Sequence, residues 1–174
     1  MNLAAGFLAL FIALLGAAQT KAPDDAAEQR LDRLVAATGL TFEKSSSGLS
    51  NVLTYDHDAG RKQKVFVARA PDRADGLVFH RVYTTVWTDG KNPPDAALLR
   101  RVFSQSKKFG AFYLYVDSKG AQAIRFGVLF DATHAPDSPG ADDPATKRLA
   151  DTIAFVNAVG EEVDHELNGD ADIQ

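Results

Sequence analysis

The sequence predicts an α+β domain, an antiparallel β-sheet with three helices, in the order helix, three strands, helix, two strands, helix. Three observations carry this. Apolar residues recur at three- and four-residue steps in three separated segments. Between those segments β-branched and aromatic residues alternate at a period of two. The alternating runs come as hairpins joined by short Ser/Gly, Asp/Gly and Pro/Asp/Gly clusters, which describes an antiparallel sheet and not a parallel doubly wound one. No glycine-rich loop of the nucleotide-binding kinds follows any strand.

Ahead of the first helix, Leu3 to Ala18 is apolar and uncharged. It is shorter than the ~20 residues of a bilayer-spanning helix and ends in the small residues Gly16-Ala17-Ala18, the pattern of a signal peptide. Cleavage is expected after Ala18, with residues 19–25 as a linker, one domain over 26–168 and an acidic tail over 169–174. The n-region lacks Lys and Arg, so a retained N-terminal anchor is the alternative. The expected location is the periplasm or the exterior, with no stable membrane span once the signal is removed. The chain has no cysteine, which excludes disulfides, thiolate zinc sites and a lipoprotein anchor. Its 19 Lys and Arg against 23 Asp and Glu give a net charge of -4, which offers nothing to nucleic acid or to anionic lipid.

The first helix begins near Asp24. Ala27, Leu31, Leu34, Val35 and Thr38 form its stripe, Asp24, Asp25 and Glu28 complement its dipole, and Gly39 suits a left-handed cap. Strands follow at Val52 to Tyr55, Lys64 to Ala68 and Leu77 to Trp87, with a further candidate at Thr41 to Lys44. In the longest, Leu77, Phe79, Tyr83 and Trp87 are expected on one face and Val78, Val82 and Val86 on the other. A strand apolar on both faces belongs in the middle of a sheet.

The second helix is expected from Asn92 as cap and Pro93 as first residue. Asp95 falls in its first turn, and Leu98, Leu99, Val102, Phe103 and Ser106 form its stripe. The hairpin after it places Phe112, Leu114 and Val116 with Ile124, Phe126, Val128 and Phe130 on one face, around a turn at Asp117 to Gly120. Tyr113, Tyr115, Arg125 and Gly127 take the other face. The last helix starts at Asp143-Pro144 and runs to about Leu167, with Leu149, Ile153, Val156, Gly160, Val163 and Leu167 on one stripe. Its second half carries Glu161, Glu162, Asp164 and Glu166 with no Lys or Arg from Leu149 onward. That end is expected to be a solvated acidic surface fading into the tail, or else an acidic docking surface.

The chemistry-bearing residues do not assemble into a catalytic motif. No Gly-x-Ser-x-Gly elbow exists, and Ser45-Ser46-Ser47 reads as a loop. The four histidines, His57, His80, His134 and His165, are far apart in sequence and lack zinc-ligand spacing. The triplet Asp56-His57-Asp58 is read as a hairpin tip, because its residues alternate sides and Asp58-Ala59-Gly60 has turn chemistry. His80, beside Val78 and Val82, is expected to be a satisfied core histidine. No metal ligand set, no cofactor and no enzymatic activity are assigned. If the helices cover mainly one side of the sheet, Tyr113, Tyr115 and Arg125 with part of the Leu77 to Trp87 strand form an open aromatic face, and Tyr and Arg are enriched at interaction hot spots. They are the candidate partner-binding residues.

The segments "RLVAATGLTFE", "PPDAALLRRVFSQSKKFGAFYLYVDSKGAQAIRFGVLFDA" and "LADTIAFVNAVGEEVDHEL" resemble the YbjN family over about residues 27–167. The resemblance implies a fold similar to that of type III secretion chaperones, a regulatory role of the bacterial sensory-transduction kind, and binding of polypeptides. It transfers no functional residues. The expected function is therefore an exported, non-enzymatic protein-binding or regulatory domain that recognises a polypeptide partner or itself. The alternative is a periplasmic metal-binding protein or metal-dependent hydrolase using His57 or His134.

Overall fold

A computed structural model describes residues 25–57, 60–88, 94–105 and 109–168. The signal segment, the acidic tail, Asp58, Asn92, Pro93 and Ser106 lie outside the described residues. Helix α1 spans Asp25–Ala37 and buries Ala27, Leu31, Leu34 and Val35, the stripe expected from their spacing. It stops at Gly39, whose φ of 74° is the left-handed conformation that suits glycine.

The sheet has seven strands, all antiparallel: β1 Glu43–Lys44, β2 Ser50–Asp56, β3 Lys62–Ala68, β4 Asp72–Ala74, β5 Leu77–Thr88, β6 Ala111–Val116 and β7 Gln122–Asp131. Helix α2, Ala96–Phe103, precedes β6, and α3, Pro144–Asn168, follows β7. Elements longer than three residues run α-β-β-β-α-β-β-α, the expected order. The spatial order is β1-β2-β3-β5-β7-β6, with β4 paired to β5 off that path. The strand β5, apolar on both faces, lies between β3 and β7, inside the sheet as predicted.

Strand β4 falls in the Pro/Asp/Gly cluster that sequence reasoning treats as a separator. It pairs with β5 through Ala74 and Leu77 around Asp75-Gly76, which have φ of 49° and 82°. Two central residues with positive φ define the tight I′ hairpin, whose strongest sequence signal is Asp-Gly.

Helix α2 is shorter than expected. Asp95, placed by sequence in the first turn, is the cap itself: it is extended, and its carboxylate accepts from Leu98 N at 2.7 Å. An aspartate that can bond the third residue onward competes well with an asparagine three residues earlier. Val102 is buried, whereas Phe103 at the end of the expected stripe is 47% exposed. In α3 the Asp143 carboxylate caps the first turn through Ala145 N at 2.8 Å, and Leu149, Ile153, Val156 and Val163 are buried.

Helix α3 packs across β3, β5 and β7, with α1 beside it. Cross-strand pairs share a face, so the register sorts the side chains. Leu53 opposite Val65, Val67 opposite Val82 and Thr84 opposite Phe126 look toward the helices and are buried. Phe66 opposite Tyr83, and Tyr113 opposite Arg125, look the other way. Trp87 departs from its expected face. A register shift between Thr85 and Trp87 inserts Val86 and brings Trp87 opposite Ile124, so Trp87 packs against the helix-side core.

Candidate functional site

The uncovered face of the sheet brings the three predicted residues together. Arg125 on β7 lies between β5 and β6, and each neighbouring strand supplies a tyrosine. The Arg125 guanidinium carbon is 3.5 Å from the ring centre of Tyr115 and 4.7 Å from that of Tyr83. Tyr113 is directly opposite Arg125 in the ladder. One strand further, Phe66 stacks on Tyr83 with centroids 5.1 Å apart and planes 10° from parallel. The result is a continuous aromatic row across β3, β5, β7 and β6, stitched by one cation. Such contacts are worth about 0.5–2 kcal/mol each, rising as water is excluded.

Gly127 makes this packing possible. A Cβ at that position would meet Tyr113 Cε1 at 3.1 Å and Tyr83 Cβ at 3.3 Å, so the two tyrosines share space that any side chain on β7 would fill. Burial pushes the Tyr113 hydroxyl above its ordinary pKa, and the Arg125 charge pulls it partly back. Tyr113 is therefore a neutral phenol whose side chain is hydrogen-bonded with Arg125. Tyr83 lies on the strand expected to share this face but was not named as a candidate residue, and Phe66 was not foreseen there. The alternation that put Phe79 and Tyr83 on one strand face was the signal for Tyr83, and the β3–β5 register adds Phe66.

Asp56 and His57 lie at the end of the β2–β3 hairpin, as expected. Asp56 pairs with Lys62, and His57 N donates to Arg61 O at 2.9 Å. The ring of His57 turns toward α3, where its Nε2 lies 3.3 Å from Asn157 Oδ1 and 3.7 Å from Glu161 Oε2. Arg61, 8% exposed, donates from Nη2 to Glu161 Oε1. His57, Arg61 and Glu161 thus form a half-buried polar clasp between a hairpin and the last helix, with a cation already opposite its carboxylate.

His80 is fully buried, with Nδ1 3.0 Å from Ala68 O, and burial lowers its pKa. His134 is exposed in the loop after β7, near Asp131. Among the described residues, no group of three His, Asp or Glu side chains is placed to hold a metal ion.

The acidic end of α3 is more structural than either expectation. Glu161 takes Arg61 of the hairpin, Glu166 takes Arg101 of α2 at 2.9 Å together with Gln105, and Asp164 is 2% exposed. These acids oppose the helix dipole, but cations arriving from other elements offset that cost. Among the described residues, no helix is long and apolar enough to cross a membrane. No family model matches the chain, and no curated protein matches it.

Proposed function

We propose that this protein is an exported, non-enzymatic binding or regulatory domain that recognises a polypeptide through the uncovered sheet face. The single observation that carries the reading is the aromatic row around Arg125, left open among the described residues because α3 packs on the opposite side with α1 beside it and α2 joins the same core through Val102. Tyr and Arg are the side chains that concentrate binding energy when a partner excludes water from them. Glu161 and Glu166 of the last helix, the other surface considered, are engaged within the fold, which favours the sheet face as the candidate.

The sequence resemblance to the YbjN family and, through it, to type III secretion chaperones supports the same reading, because it implies polypeptide binding without a catalytic signature. The apolar segment Leu3 to Ala18 supports a periplasmic or secreted location.

The test is photo-crosslinking in the native envelope with a benzophenone amino acid at Tyr115, against a control at the exposed Asp151 of α3. Polypeptide adducts are expected from Tyr115 and not from Asp151. A Tyr115 probe that yields no adduct, on a protein that sediments as a monomer, overturns the reading.

A further inference from the structure

Arg125 differs from five other arginines of the fold. Arg30, Arg61, Arg69, Arg81 and Arg101 each meet a carboxylate. Arg125 meets two tyrosine rings, and its Nε is buried without a hydrogen-bond partner among the described residues. That atom is closed to solvent, so an acceptor supplied from outside the chain would have to meet the guanidinium at its outer nitrogens.

The surroundings say what such an acceptor would be. Beside Arg125 the open face dips into a groove of about 290 Å³, with Lys64, Phe66, Thr85, Tyr115 and Asp117 on its walls. The acid of the groove, Asp117, turns its Oδ1 to its own loop, where it accepts from Lys119 N and Ala121 N at 2.8 Å each. Two cations, Lys64 and Arg125, line the groove against one acid, Asp117. Tyr113 shares one side-chain hydrogen bond with Arg125, and the remaining guanidinium donors border the groove. The guanidinium fork matches the two oxygens of a carboxylate.

The geometry points to a carboxylate-binding site at Arg125, which takes an Asp or Glu side chain of an extended polypeptide whose neighbouring apolar side chain rests on Phe66 and Tyr115. This rests on the proposed polypeptide-binding role of the sheet face and adds its chemistry: the partner segment is acidic and aromatic or aliphatic, not basic. The ring of Phe66 and the exposed edge of Tyr115 supply the apolar contact, and the cation fixes orientation.

The experiment uses the full chain, labelled for arginine Nε–H and backbone amide NMR. It is titrated with two end-blocked hexapeptides, Gly-Phe-Gly-Glu-Phe-Gly and the same peptide with Gln for Glu. The Glu peptide is expected to shift the Arg125 Nε–H and the Tyr115 amide and to bind about tenfold more tightly than the Gln peptide, the scale of one charge-assisted hydrogen bond. Added salt is expected to shrink the difference. Arg125→Gln should bring both peptides to the weaker level, and Arg125→Lys, which keeps the charge but not the fork, should fall between.

Equal binding of the two peptides, Glu-peptide binding unchanged in Arg125→Gln, or no binding of either overturns the site. So does a dimer in sedimentation that Arg125→Gln abolishes and the Glu peptide does not compete, because a second copy would then be the occupant. Crosslinking from Tyr115 separates this failure from that of the broader role. Adducts that persist undiminished in Arg125→Gln keep the polypeptide surface and discard the carboxylate, whereas absence of adducts discards the surface itself.

Discussion

Gly160 of α3 faces Thr84 of β5 so closely that a Cβ on the glycine would lie 2.6 Å from Thr84 Cγ2 and 2.8 Å from Gln63 Nε2. Gln63 donates to Thr84 Oγ1, and Thr84 donates in turn to Lys64 O at 2.8 Å. Both side chains are fully buried. The long helix therefore crosses the sheet over a polar pair, and a residue without a side chain lets it come near enough to seal that pair from water.

Gly160→Ala is expected to destabilise the fold by about 1–3 kcal/mol, the range for inserting a methyl into a packed site. The intrinsic helix preference favours alanine by about 1 kcal/mol, so the sign of the result decides which effect wins. Thr84→Ser removes the nearer obstacle and should recover part of the loss in the double variant. Urea melts followed by Trp87, the one tryptophan of the chain and packed against the core, give the comparison.

The Arg61–Glu161 pair clasps the β2–β3 hairpin to α3. Glu161→Gln removes the carboxylate facing an arginine that is only 8% exposed, and a loss of about 3 kcal/mol is expected. Arg61→Met with Glu161→Leu should cost much less than the sum of the single changes, because desolvation of both ions disappears with them. A double-mutant cycle in urea measures the coupling.

The fold was legible wherever local chemistry and hydrophobic period agreed. The stripes of α1 and α3, the cap at Asp143 and the β6–β7 hairpin all follow from residues close in sequence. The three candidate residues were also legible, because period two puts Tyr113, Tyr115 and Arg125 on one face once the hairpin register is known. What escaped depended on longer-range or finer geometry. Trp87 changes face through a bulge that strict alternation cannot foresee, and Phe66 joins the aromatic row only through strand pairing. The acids of α3 looked solvated because their partners, Arg61 and Arg101, sit 100 and 65 residues away. The Asp75-Gly76 turn carried its own signal, and the brevity of β4 hid it.

His80 gives the fold a pH dependence near neutrality. Burial, partly offset by the Ala68 carbonyl and the charge of Asp72, lowers its pKa below the unfolded value of about 6.5. The unfolded chain then binds the proton more tightly than the folded one. Stability is fully present above about pH 6.5 and declines as pH falls from there toward the folded pKa, with a slope for one proton of at most about 1.4 kcal/mol per pH unit. His80→Asn keeps a donor for the Ala68 carbonyl and should flatten this limb in denaturant melts between about pH 5 and 7.

Asp32 governs a separate, more acidic window. Burial raises its pKa, but the hydrogen bonds from Arg69, Lys44 and Asn51 together outweigh that, and the net shift is downward. The bonds are 3.1 Å from Arg69 Nε, 2.5 Å from Lys44 Nζ and 2.9 Å from Asn51 Nδ2, and they tie α1 to β1, β2 and the end of β3. A depressed carboxylate contributes stability that is present above its unfolded pKa of about 3.9 and is lost as pH falls through the folded value. Asp32→Asn should therefore lower stability at pH 7 and reduce the fall seen below about pH 4, while leaving the His80 limb near neutrality in place. Urea midpoints of the wild type and both variants across the two windows check this: an Asp32→Asn protein whose acid limb stays as steep as the wild type's would show that the network leaves the folded pKa unshifted.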